Sequence, residues 1–147
     1  MLIVLLTTCL LTVLSVGVHY TALSILTEFM LKRDYHVRRW VGVSVLGMLL
    51  AHVIEVTMYA IGYVILGRYF DYGDLIDSVG EEIEIISDYW YFSFVSYTSL
   101  GFGDIVPIRA LRLMTALETL TGLILIAWSA SFIFMQMHRF WSAEDKP

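Results

Sequence analysis

At 147 residues the chain has the length of one small domain, yet 59% of it is hydrophobic and its mean hydropathy is +0.76. These values place it among membrane proteins and leave no material for a large soluble core. The net charge of -5 is modest, no basic stripe interleaved with exposed aromatics points to a nucleic-acid partner, and the single Cys9 excludes an intrachain disulfide.

From Met1 to about Thr27 the only ionisable side chains besides Cys9 and Tyr20 are those of His19 and, at the end of the run, Glu28. A secretory leader would open with positive charge and close on a small-residue cleavage site. Neither is present, so residues 1–28 are read as a first transmembrane helix, since roughly 20 apolar residues cross the ~30 Å hydrocarbon core. Residues 29–39 hold Lys32, Arg33, Arg38 and Arg39 and are expected to form a cytoplasmic basic loop.

Residues 40–66 form the second expected span, an outer helix with Trp40 and Tyr63 as interfacial anchors. Gly42, Ser44, Gly47 and Ala51 supply a small-residue face for close helix contact. His52 and Glu55 lie inside this span, three residues apart and so on one helical face. An ionisable group left unpaired at a helix centre costs ~2.5 to 3.5 kcal/mol or more, which makes the pair a functional hypothesis by default. It reads either as a proton-sensitive element or as a hydrogen-bonded structural pair against a neighbouring helix; two ligands are too few for a metal site. Residues 67–87 are acidic, with Asp71, Asp74, Asp77, Glu81, Glu82 and Glu84 against Arg68, and are expected as an extracellular loop that concentrates cations.

The stretch 88–107, DYWYFSFVSYTSLGFGDIVP, is too short and too glycine-broken to span. Non-helical backbone at membrane depth is tolerated only inside protein or along a water-filled path, so this segment is expected to dip in and return. Thr98-Ser99-Leu100-Gly101-Phe102-Gly103-Asp104 resembles the selectivity filter of tetrameric potassium channels, whose common form is TTVGYGD, and two-pore-domain potassium channels carry similar GFGD filters. The resemblance implies backbone carbonyls that replace an ion's hydration shell, with potassium ions held at Thr98, Ser99, Leu100, Gly101 and Phe102. It also implies that Leu100 and Phe102 point away from the axis and pack the filter into its surroundings. Asp88 is placed to cap a pore helix. Val95 stands where some bacterial channels of this kind have a glutamate, so the resemblance implies that no pore-helix carboxylate braces Asp104, and the Tyr91 hydroxyl is its expected partner.

The inner helix is expected over 108–141. Its Glu118 and Gly122, in TALETLTG, resemble the inner-helix pattern of bacterial inward-rectifier channels. That resemblance implies a hinge at Gly122, pore-facing Ile126 and Ala130, and a gate at Phe134. Glu118 is expected to support the filter through pore-helix hydroxyls such as Ser96.

The chain therefore reads as an all-α membrane protein of three spans with a pore helix and filter between the second and third. The N-terminus is expected outside and the C-terminus in the cytoplasm, in the cell membrane. One pore loop per chain and no internal repeat imply a homotetramer. The expected activity is passive potassium transport, with no catalytic residue and no cofactor besides potassium ions. A weakly selective cation pore and a non-conducting membrane subunit are the alternatives.

Overall fold

The computed structural model describes residues 1–31 and 37–144, with side chains outside 30–40 and 139–147; residues 32–36 of the expected basic loop, and the side chain of the Trp40 anchor, lie outside what is described. The elements in order are α1 (Leu2–Leu31), α2 (Val37–Val64), β1 (Leu75–Asp77), α3 (Ile86–Tyr97), β2 (Ile105–Pro107) and α4 (Leu111–Glu144). The chain is an all-α membrane protein with two three-residue strands: α1, α2 and α4 are each long and apolar enough to cross a membrane. The span boundaries fall within three residues of those expected, except that α2 continues through a π-helical turn, Ile65–Tyr69.

Each long helix turns one stripe inward. On α1 the buried positions Val4, Thr8, Ser15, His19, Leu23 and Leu26 recur every three, four or seven residues, while Leu2, Leu6, Leu10 and Val13 stay exposed. This sorting differs from that of a soluble helix. The outward face is as apolar as the inward one because lipid covers it, and the small polar side chains gather where helices meet. Gly62 of α2 is such a meeting point, since a Cβ there would stand 2.6 Å from Met114 of α4 and 2.7 Å from Leu11 of α1. Of the expected small-residue face, Gly47 lies under Leu26 of α1, while Gly42 has open space around it.

Tyr63 is not an interfacial anchor. It is fully buried, because the added π-helical turn moves the end of α2 six residues beyond it. It packs edge-on against Phe92, within a cluster that includes Tyr59, Leu66, Leu75, Tyr89, Leu111 and Met114.

The acidic segment is also not a free loop. β1 pairs antiparallel with β2, Leu75 opposite Pro107 and Asp77 opposite Ile105. Asp74 accepts from Tyr89 Oη at 2.6 Å and from its neighbour's amide at 2.8 Å, while its own carbonyl accepts from Ile108 N at 2.9 Å. Burial and that bond to Asp74 push the Tyr89 phenol well above its usual range. Asp77 Oδ1 accepts the amides of Val79 and Glu81, and Asp71 pairs with Arg109 at 3.0 Å. Three of the six carboxylates thus hold the loop's shape, which leaves the exposed Glu81, Glu82 and Glu84 as its outward charge.

Candidate functional site

Helix α3 starts at Ile86, so Asp88 lies in the first turn and does not cap it; the N-cap is Ile85, without a side-chain bond. Asp88 still sits where the helix dipole favours negative charge. At the other end the chain stops being helical at Thr98, whose Oγ1 donates to Phe94 O at 2.7 Å. The amides of Leu100 and Gly101 turn back onto Val95 O at 2.9 and 3.3 Å, closing the helix. Ser99, Gly101 and Gly103 then take positive φ, of 61°, 56° and 77°. Left-handed residues at every second position turn successive carbonyls in a way that uniform strand or helix cannot. Glycine serves two of the three at no steric cost, and the space around both is open.

All seven residues from Thr98 to Asp104 are exposed in the single chain. Leu100 and Phe102 are 59% and 63% exposed, so the packing expected of them is not supplied by their own chain. Asp104, in contrast, is held: Tyr91 Oη donates to its Oδ2 at 2.7 Å. That donation, ahead of any burial, raises the Tyr91 phenol above its ordinary value.

Behind this segment stands α4. A Cβ on Gly122 would fall 2.1 Å from the carbonyl oxygen of Tyr97, so the glycine lets α4 touch the last turn of α3. Helix α4 runs unbroken through Gly122, which is a point of close contact between α3 and α4. One turn earlier, buried Glu118 accepts from Tyr63 and from Ser93, each at 2.5 Å. Ser96 is not its partner. The Ser96 carbonyl instead accepts from Thr119 Oγ1 at 3.0 Å, because the phase of α3 turns Ser93 toward Glu118. Ile126, Ala130 and Phe134 follow at four-residue steps and are all exposed, forming an uncovered stripe down α4.

A second polar group lies deeper between the helices. Glu55 Oε2 accepts from Tyr97 Oη and lies 3.0 Å from His52 Nδ1, which is also 3.0 Å from Tyr97 Oη, and Glu55 Oε1 lies 3.0 Å from His19 Nδ1. Ser129 Oγ of α4 reaches His52 Nε2 at 3.1 Å, His19 Nε2 at 3.3 Å and Met48 Sδ at 3.4 Å. The expected pair His52 and Glu55 is therefore part of a five-residue network joining all four helices. His19, Tyr97 and Ser129 were the missed members; of these, the cost of burying an ionisable group singles out His19 in an otherwise apolar run.

Comparison with known proteins agrees with this architecture. The sequence model of a family described as ion channel matches residues 53–139, more than half of the chain. No curated protein and no solved structure matches it.

Proposed function

The chain belongs to the ion channel family, and from that premise we propose that it is a potassium-selective pore assembled from four copies. One observation carries the reading. The C-terminus of α3 meets α4 at Gly122, and eleven residues of rise from Leu111 amount to ~16 Å, about half the thickness of the hydrocarbon core. The exposed segment with left-handed residues at alternate positions begins there, at the depth where irregular backbone needs either protein or water around it. Neighbouring copies supply the protein, and the axis between them supplies the water-filled path.

The four-fold arrangement follows from the same surface. Leu100 and Phe102 offer apolar side chains with no cover in their own chain, and cyclic symmetry closes the ring without leaving an open interface. Thr98, Ser99, Leu100, Gly101 and Phe102 then present oxygens to dehydrated potassium ions, while the Tyr91 to Asp104 bond and the pairing of β1 with β2 hold the outer end. Lys32, Arg33, Arg38, Arg39, Arg139 and Lys146 on the inner side against Arg68, Arg109 and Arg112 on the outer orient the N-terminus outward in the cell membrane.

Purified protein in planar bilayers under a potassium-to-sodium gradient should give reversal potentials that follow potassium, from particles that native mass spectrometry weighs as tetramers. Equal permeability of the two ions would leave a weakly selective cation pore, and absence of current from verified tetramers would leave a non-conducting subunit.

In the same reading the stripe Ile126, Ala130 and Phe134 lines the inner vestibule, with Phe134 as its apolar constriction. Such a ring gates by dewetting, so Phe134→Asp should raise open probability several-fold and leave the reversal potential unchanged. Single-channel records with identical open probability would return Phe134 to a lipid-facing position.

A further inference from the structure

His19 of α1, His52 and Glu55 of α2 and Tyr97 of α3 turn their polar atoms onto one point between the helices: His19 Nδ1 and His52 Nδ1 each lie 3.0 Å from a Glu55 oxygen, and Tyr97 Oη lies 3.0 Å from His52 Nδ1 and bonds Glu55. Ser129 Oγ stands on the far side of both rings, 3.1 and 3.3 Å from the two Nε2 atoms. With each Nε2–H donating to one lone pair of Ser129 Oγ, and the serine hydrogen on Met48 Sδ, both Nδ1 atoms face Glu55 as acceptors, the arrangement that a cation among them would hold.

We infer that His19, His52 and Glu55 form a zinc-binding site, with the Tyr97 hydroxyl as fourth donor. One ligand atom from each of the three residues lies within 4.8 Å of the others, and the two imidazole-to-carboxylate distances are 3.0 Å. Ligands ~2.0–2.2 Å from a tetrahedral zinc ion stand ~3.3–3.5 Å apart, so the donors need only small side-chain rotations to close on it. Two nitrogens and two oxygens are a borderline donor set that suits zinc and not the hard calcium or magnesium ions. Ser129 supplies the outer bond that orients metal-bound histidines and holds their tautomer. His19 and Glu55 are fully buried, and the His52 side chain is 16% exposed. Loss of the Tyr97 proton to solvent on binding makes the charges sum to zero, two positive on zinc against one on each oxygen ligand. The ion would tie α1 and α2 to Tyr97, the residue immediately before Thr98.

The test is metal content, which is read without any current and so stands or falls apart from conduction. Full-length protein in detergent, equilibrated with micromolar zinc and passed through a desalting column, should carry about one zinc per chain by plasma mass spectrometry. His19→Gln, which keeps a polar group in the same slot, should drop to background, Ser129→Ala should bind roughly 10–100-fold more weakly, and His138→Gln should keep the full amount. Wild-type protein that holds no zinc overturns the site whatever the variants do. Equal zinc in wild type and His19→Gln overturns it as well, by placing the ion elsewhere.

Discussion

Gly122→Ala should cost the assembled protein about 1–3 kcal/mol or more, the range for overpacking a core that cannot relax. The added methyl would stand 2.1 Å from the Tyr97 carbonyl oxygen and 2.9 Å from its carbon. Both are backbone atoms at the end of α3, so no rotamer change relieves the clash. Either α4 moves outward or the helix end that leads into Thr98 does. A matched control exists in Gly17 of α1, where a Cβ meets nothing within 4 Å; alanine there should stabilise by roughly 0.5–1 kcal/mol through the unfolded chain and helix propensity. Thermal unfolding of the detergent-solubilised protein separates the two. A Gly122→Ala midpoint equal to wild type would mean that α4 does not approach α3 so closely.

Glu118→Ala should be nearly as damaging, by about 2–4 kcal/mol, because it opens a cavity where three helices meet and removes the acceptor that joins Tyr63 of α2 to Ser93 of α3. Glu118→Gln should cost less than about 1.5 kcal/mol. Its carbonyl accepts from Tyr63 and its amide donates to Ser93 Oγ. The serine's own hydrogen is then free for Val56 O, 2.9 Å away. The contrast between the two variants distinguishes a bridging group from a required ion. If glutamine unfolds the protein at the same temperature as alanine, the negative charge itself is what the site needs.

Features with a local signature were readable in the chain. The three spans are long runs of apolar residues, and GFGD after an aromatic segment announces a backbone that glycine must bend. The Tyr91 to Asp104 bond could be anticipated because both ends lie within one short segment and the last turns of α3, which lead into it, carry no carboxylate. Choices made between helices were not readable in the same way. Ser93 and Ser96 are less than one turn apart, and which of them meets Glu118 depends on the phase of α3, which begins two residues before Asp88. A glycine within an apolar helix does not show in sequence what it packs against, and only the structure puts the Tyr97 carbonyl opposite Gly122. Strands of three residues, Leu75–Asp77 and Ile105–Pro107, are too short to show alternation. His19 lies 36 positions before Glu55, so nothing local connects them, although the argument that marked His52 and Glu55 applies equally to it.

The pairing of β1 with β2 makes the acidic turn a reporter position. Val79 at its tip is 79% exposed, and neighbouring Gly80 has nothing within 4 Å of a notional Cβ, so a dye on a cysteine at Val79 would meet no wall. That tip is two positions beyond Asp77, which is registered opposite Ile105, the residue after Asp104. A fluorophore there would sit beside the strand paired with the one that leaves the glycine-rich segment, and its emission would follow movements of Asp104 from outside the membrane while every side chain of that segment stays native.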